Sequence, residues 1–407
     1  MFSKSSQNSH GSSLTAISAV IGLTIAGTIG IAVGTLAIPA FSAARGGDFP
    51  GPVPARVLQM GLPKIVSARM MRKVDRLVQT PYKYGIIIRP GKGQLVDSPC
   101  VYRFGHKWYM LYVRFKNQGY ETQLAQSANL LRWKRLGTVL PFQPHGWDKW
   151  QDDGAIALLN PTWGGSYQPE KFDGRYWMSY LGGNQKGYEP PPLSIGMAWT
   201  HNPGVARDWH PIVDNPVLST TGPGVRPFEK ETLYKSQIIR VSPRILGYPF
   251  VMYYNASQKG PHLERIGMAV SKDMTHWIRF GHGPVITNHR GISGDPQIVR
   301  MGRLWVMFYF GAFWTPKDYH PAHPRSFMNQ AFSTFACSYD LVHWTKWRGQ
   351  PILKPSKPWD QIYAHKPWFI YYKGVVYQFY CAVGNEGRCI AVATSKDIQR
   401  HMVSGIK

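Results

Sequence analysis

Three short motifs each place a titratable side chain just before a run of apolar residues. They are Asp97 in "VDSP", Asp295 in "SGDPQIV" and His365 in "YAHKPW". Two carboxylates and a histidine can share acid–base catalysis, because a deprotonated group activates water or attacks while a protonated group helps the leaving oxygen depart. A third group beside the acid can raise the pKa of that acid by its charge. These residue types predict cleavage of a glycosidic bond.

The segments that carry these motifs belong to a repeat. A Met-x-Tyr signature, with Gln replacing Met in the last copy, is followed each time by Ala-x-Ser/Thr-x-Asp/Asn. Each unit predicts about four short strands, and four-stranded units repeated around an axis form a β-propeller. The sequence therefore predicts an all-β, five-bladed propeller with four-stranded blades. The signature tyrosines are Tyr112, Tyr180, Tyr254, Tyr309 and Tyr380.

The innermost strands of a propeller converge, so the residues at their starts surround an axial pocket. The predicted starts are residues 97–99, 168–170, 234–236, 295–297 and 365–367. A proline in most of them is expected to hold the preceding residue in an extended conformation. We therefore expect Asp97, Asp295 and His365 to meet at one end of the axis, with His365 kept protonated by the charge of Asp295.

The order of these motifs resembles the five-bladed propeller glycosidases of glycoside hydrolase families 43, 32, 117 and 130, over roughly residues 90 to 400. The resemblance implies that Asp97 is the general base or nucleophile and that Asp295 tunes the acid. The acid is a Glu in family 43 and a His in family 117, which His365 matches. Glu231 is the alternative acid.

Other polar and aromatic residues near the predicted starts are candidates for sugar binding. Lysine and arginine there could bind an anionic substituent, or phosphate if the enzyme is a phosphorylase. A tryptophan in a loop could stack on a sugar ring. The candidate substrate-binding residues are Glu170, Lys235, Arg226, Gln297, Trp314 and Lys366.

The sequence predicts an exported glycoside hydrolase acting on an oligo- or polysaccharide. A glycoside phosphorylase and a non-catalytic sugar-binding propeller are the alternatives. No cofactor is expected to be required, and no metal-binding spacing occurs, although a structural divalent cation stays an open option. The 47 Lys and Arg residues outnumber 22 Asp and Glu but are scattered, without the basic run that marks a nucleic-acid-binding arm.

The N-terminus predicts the destination of the protein. No Lys, Arg, Asp or Glu occurs between Lys4 and Arg45, and residues 14–40 are almost continuously apolar or small. Residues 1–44 are therefore predicted to be a signal peptide or a membrane anchor, in a secreted, periplasmic or membrane-anchored protein. Residues 45–94 are predicted to be an extension that packs on the propeller, and residues 95–407 the catalytic propeller.

The four cysteines allow two interpretations. Cys381 and Cys389 flank a short turn and could form a disulfide across a hairpin in an oxidising compartment. Buried free thiols in strands are the favoured interpretation.

Overall fold

The computed structural model describes residues 61–116, 118–258, 263–288, 291–313 and 330–398. The predicted signal peptide or anchor lies outside these residues. One α-helix, α1, covers Ala68–Val78, and the strands are β1 (Tyr82–Ile88), β2 (Gln94–Phe104), β3 (Lys107–Lys116), β4 (Tyr120–Ser127), β5 (Lys134–Leu140), β6 (Gln151–Ile156), β7 (Tyr176–Gly183), β8 (Ser194–Thr200), β9 (His210–Pro211), β10 (Thr232–Arg240), β11 (Phe250–Ser257), β12 (Glu264–Ser271), β13 (Trp277–Arg279), β14 (Gly291–Met301), β15 (Leu304–Phe313), β16 (Ala331–Ser338), β17 (Thr345–Lys346), β18 (Tyr363–Tyr372), β19 (Val375–Gly384) and β20 (Gly387–Thr394).

The strands form antiparallel sheets of neighbours in sequence. β2–β5, β6–β9 and β10–β13 each make a four-stranded sheet, and β14–β20 together with β1 make an eight-stranded one. In the eight-stranded sheet a single parallel pair, Ala331 with Tyr363, joins β16 to β18. The fold is all-β, as predicted, and its four-stranded sheets are those of a propeller of the glycoside hydrolase type.

The repeat of the sequence fixes the register of each sheet. The Met or Gln of every Met-x-Tyr copy pairs with the Ala of the following Ala-x-Ser copy, as Met110 does with Ala125 and Gln378 with Ala393. The serine then closes the turn after its strand: Ser271 Oγ accepts from the Met274 backbone N–H, and Trp277 Nε1 donates to the Met274 carbonyl. Both signatures are therefore structural, and they position the strands rather than the chemistry.

The N-terminal part of the described chain packs against the last strands. α1 begins after Ser67, whose hydroxyl accepts a hydrogen bond from the Met70 N–H. Its buried face, Met71, Val74 and Val78, belongs to a core cluster that includes residues of β14, β15, β16 and β18. Residues 82–88, assigned from the sequence to the extension, form β1, which pairs with β20. Within the described ranges, no helix is long and apolar enough to span a bilayer.

The first strands of the sheets share an irregularity at the predicted starts. The pairing of β2, β10, β14 and β18 with the next strand slips just after Asp97, Leu233, Gly294 and His365. The residue before each proline has a positive φ: 53° at Ser98, 49° at Asp295 and 51° at Lys366. The expectation of an extended residue there was wrong, because the bulge, not the proline, sets the backbone and turns the side chains sideways.

Candidate active site

A cavity of about 140 Å³ lies where the first strands of the sheets begin. β10, β14 and β18 contribute the residues at their bulges, and β6 contributes Asp153 in their place in the second sheet. A loop after β7, the start of β12 and the start of β20 supply the remaining charged groups. The acidic lining residues are Asp153, Glu189, Glu264 and Asp295, and the basic ones are Lys235, His365, Lys366 and Arg388.

Asp97 lies behind this lining and is enclosed by donors. It is 1% exposed, and its Oδ2 accepts hydrogen bonds from Lys366 Nζ (3.1 Å), Arg388 Nη1 (2.8 Å) and the Tyr188 hydroxyl (3.3 Å). Its Oδ1 accepts from the Ser98 N–H (2.8 Å). Burial opposes its charge, but the two cations prevail and hold the pKa of Asp97 well below its usual range. The carboxylate is thus fixed as an ion and covered on both oxygens.

His365 lines the cavity but is not charged. Its Nδ1 lies 3.2 Å from the Cys381 carbonyl, and its Nε2 lies 3.4 Å from Arg388 Nη1. Because Arg388 can only donate, Nε2 is the acceptor and Nδ1 carries the proton of a neutral ring. Burial and the neighbouring Arg388 lower the pKa of His365 to about 3. Its expected role as a protonated acid, sustained by Asp295, is therefore wrong: an arginine rather than a carboxylate faces its ring.

Glu264, at the start of β12, has the opposite environment. Burial and the charge of Glu189 raise its pKa to about 8. Its Oε2 accepts a hydrogen bond of 2.8 Å from Asn255 Nδ2. A carboxyl group that is neutral at pH 7 and lines a cavity can donate a proton, as a general acid must.

Glu189 faces the same cavity from the loop after β7. Its Oε1 accepts hydrogen bonds from Lys366 Nζ (3.3 Å) and the Tyr120 hydroxyl (3.1 Å), donors that stabilise a carboxylate. The residue has a φ of 49°, a strained value that projects its side chain from the loop. Glu189 is therefore available as a base or nucleophile.

The predicted site residues divide into two groups. Asp295, His365, Lys235 and Lys366 line the cavity, and Asp97 contacts Lys366 from behind. The structure places four others elsewhere, and Trp314 lies outside the described residues. The four are Glu170, Arg226, Gln297 and Glu231.

The four displaced residues have structural partners. Glu170 pairs with Arg240 at the surface, in the loop between β6 and β7, because the second sheet begins at β6 and not at residue 168. Gln297 Nε2 donates to the Phe369 carbonyl (3.0 Å), tying β14 to β18. Glu231 Oε2 accepts from the Ser257 hydroxyl (3.2 Å).

Arg226 belongs to a buried ion network away from the cavity. Its Nε donates to Glu229 Oε1 (3.0 Å), while Arg279 Nε donates to Glu229 Oε2 (2.9 Å). Glu229 is fully buried, so these three side chains hold the third sheet and its loop together.

The sequence reasoning missed Asp153, Glu189, Glu264 and Arg388. Asp153 has no proline after it, so the x-Pro pattern does not include "QDDG". Glu264 and Arg388 lie on later strands of their sheets, and Glu189 lies in a loop, whereas the pattern describes only first strands. "YEPPP" was the one available signal, since a glutamate before three prolines is unusual for a solvated loop.

The cysteines and one candidate group of metal ligands are buried beside the cavity or in the strands. All four cysteines are free and buried, as favoured from the sequence. Asp97, His365 and Cys381 offer ligand atoms within 4.8 Å of one another. Arg388 already donates to Asp97 and faces His365, so these acceptors are engaged by a guanidinium and do not fit a cation.

Solved structures identify the class of protein. One, a complex of BT0996 named together with RGII, is 42% identical with a TM-score of 0.76 and covers 82% of this sequence and 97% of its own. Another, "Glycoside hydrolase", is 42% identical with a TM-score of 0.75 and covers 82% and 96%. The protein belongs to the glycoside hydrolases and is a glycosidase.

More distant comparisons support the fold alone. A thermostable family-43 glycoside hydrolase is 14% identical, with a TM-score of 0.53 over 76% of this sequence and 91% of its own. This agrees with the resemblance drawn from the motifs. No protein-family model and no curated protein matches the sequence.

Proposed function

We propose that the protein is an exported exo-glycosidase that removes a terminal sugar from an oligo- or polysaccharide, with Glu264 as the general acid and Glu189 as the base or nucleophile. The observation that carries the proposal is the pair of glutamates in one cavity, of which Glu264 is neutral at pH 7. A cavity of about 140 Å³ suits one sugar residue rather than a polymer passing through.

The division of roles follows from what each carboxyl group contacts. Glu264 accepts from a neutral amide, so nothing opposes its protonation, whereas Glu189 accepts from the ammonium group of Lys366. Protonation of the leaving oxygen by Glu264 would accompany attack by Glu189, or by a water that Glu189 deprotonates. Proton NMR of the first product released distinguishes these two cases by its anomeric configuration.

The cations of the cavity argue against a phosphorylase. Lys366 and Arg388 both donate to Asp97, and Lys235 Nζ donates to the Ser98 carbonyl (2.7 Å). A phosphate would have to compete with these partners. We therefore expect turnover without phosphate and no acceleration when phosphate is added.

The proposal includes a five-bladed ring and export. The single pair between β16 and β18 is a contact between two four-stranded blades, and β1 completes the last blade by pairing with β20. Residues 1–44 act as a signal peptide or anchor, so mass spectrometry of exported protein should find a new N-terminus near Arg45 or an intact chain in the membrane fraction.

The decisive experiment replaces each glutamate by glutamine. Glu264→Gln should lower kcat by about 100- to 10,000-fold on natural glycosides but much less on activated aryl glycosides, which need no protonation of the leaving group. Glu189→Gln should abolish turnover of both. Glu170→Gln, a surface glutamate paired with Arg240, is the matched control and should behave like wild type. If Glu264→Gln loses activity equally on both substrates, Glu264 is not the acid.

A further inference from the structure

Two carboxyl groups in the cavity have oxygens without a hydrogen-bond partner among the described residues. These are both oxygens of Asp153 and Oδ2 of Asp295. The two residues are 1% and 7% exposed, yet both line the cavity. Lys235 Nζ lies 3.8 Å from Asp153 Oδ1, beyond hydrogen-bond distance, and the nearby Ser98 hydroxyl lowers the pKa of Asp153 without reaching hydrogen-bond geometry. Neither aspartate has a role in the chemistry proposed for the two glutamates.

Buried polar atoms are normally paired, since an unpaired one costs about 1–3 kcal/mol. Three unpaired oxygens in one small cavity therefore indicate that a ligand supplies the donors. The carboxyl groups lie on different sheets, Asp153 on β6 and Asp295 on β14, so a ligand between them would be held from two sides.

The backbone of Asp295 is held at a strained φ of 49°. Its N–H donates to Asn255 Oδ1 (3.3 Å), and Asn255 Nδ2 donates to Glu264. The position of Asp295 is thus linked through one amide side chain to the proposed acid. A group bound by Asp295 is placed relative to the proton that Glu264 delivers.

We propose that Asp153 and Asp295 form a hydroxyl-binding subsite for the sugar residue that is removed, and that this residue carries at least two unsubstituted hydroxyl groups and no anionic substituent where it meets them. This inference rests on the proposed glycosidase site. Hydroxyl groups both donate and accept, so they fit a carboxyl group in either protonation state. Burial raises the pKa of both residues, that of Asp295 to about 7.

An anionic sugar fits this subsite poorly. The cations nearest to it are engaged by protein acceptors, whereas Asp153 and Asp295 would repel a carboxylate or compete with it for protons. A divalent cation is disfavoured as well, because Lys235 and Lys366 act on the charge of both carboxyl groups. A methyl or acetyl substituent removes a donor and adds volume.

The first test uses p-nitrophenyl pentofuranosides and hexopyranosides, and then the monodeoxy analogues of one that is hydrolysed. Asp153→Ala or Asp295→Ala should lower kcat/KM on the parent glycoside by about 10- to 100-fold. Each should have less than about a threefold effect on the analogue that lacks its hydroxyl group. Equal losses on parent and analogues would overturn the proposal, as would loss of activity in EDTA that calcium restores.

Asp152→Asn is the matched control. Asp152 precedes Asp153 on β6, is equally buried and does not line the cavity, because neighbouring side chains of a strand point to opposite faces. Burial and the charge of Asp148 raise its pKa well above the usual range, so the amide preserves its neutral charge. Activity of this variant should match wild type.

A binding measurement separates this proposal from the catalytic one. Free monosaccharides at high concentration should raise the Tm of wild type and of Glu264→Gln, but not of the two alanine variants; Asp153→Asn and Asp295→Asn serve if either alanine variant does not fold. Binding without hydrolysis would overturn the catalytic assignment only. Absence of any monosaccharide shift that depends on the two aspartates would overturn the subsite, whether or not the enzyme is active.

Discussion

Asp97→Asn tests the conclusion that this aspartate is an electrostatic anchor and not a catalytic base. The substitution keeps the size of the side chain but removes the negative charge that Lys366 and Arg388 share at 3.1 and 2.8 Å. Asp97 is 1% exposed, so solvent screens the interaction little. Removal of one partner from a buried ion pair costs about 3–5 kcal/mol. Lys366 keeps Glu189 as a partner, which limits the loss.

Urea denaturation at several pH values gives the direct measurement. The pKa of Asp97 is lower in the folded than in the unfolded protein, so its contribution is present above the unfolded pKa and is lost as pH falls through the folded pKa. The gap in unfolding free energy between wild type and Asp97→Asn should be constant from about pH 5 to pH 7. Below about pH 4 it should narrow by about 1.4 kcal/mol per pH unit. A gap below about 1 kcal/mol at pH 7 would refute the anchor.

Chemical rescue addresses the catalytic role of Asp97. Azide restores turnover when it replaces a missing nucleophile in an open cavity, and Glu189→Ala creates that vacancy. Asp97→Ala should be inactive or slow without rescue, because the cavity does not extend to its position and its loss displaces Lys366. Rescue of Asp97→Ala but not of Glu189→Ala would reverse the assignment.

Three further outcomes are expected. Values of kcat/KM should fall as pH rises through about 8, where Glu264 deprotonates, and a Glu264→Gln profile on an aryl glycoside should lack this limb. His365→Gln should retain activity within about tenfold, since a neutral acceptor replaces a neutral acceptor; a loss that depends on leaving-group pKa would restore His365 as the acid. Glu229→Gln should reduce unfolding free energy by about 3 kcal/mol with KM unchanged, because Arg226 and Arg279 lose their buried partner; a raised KM would return Arg226 to the binding site.

The sequence predicted the fold better than the site because the two depend on different distances along the chain. Strand register follows from local signatures: Met110 pairs with Ala125 only 15 positions later. The chemistry depends on partners far apart, such as Asp97 and Arg388, which are 291 positions apart. Asp295 and His365 were found because they begin first strands. Glu264 was missed because its pKa, which makes it useful, is set by burial and Glu189.

The environment, and not the residue type, assigns the carboxyl groups their roles. Asp97 occupies the position that the motif resemblance gives to the base, yet Arg388 and Lys366 occupy its accepting oxygen. Glu264 contacts no cation among the described residues and lies near Glu189, so it keeps its proton. Lys366 connects the two halves, since it donates to Asp97 and Glu189 at once and ties the buried anchor to the carboxylate that faces the sugar. The motif at residue 97 therefore positions the catalytic base through a lysine, and the same four letters in another protein define a base only where no arginine covers the aspartate.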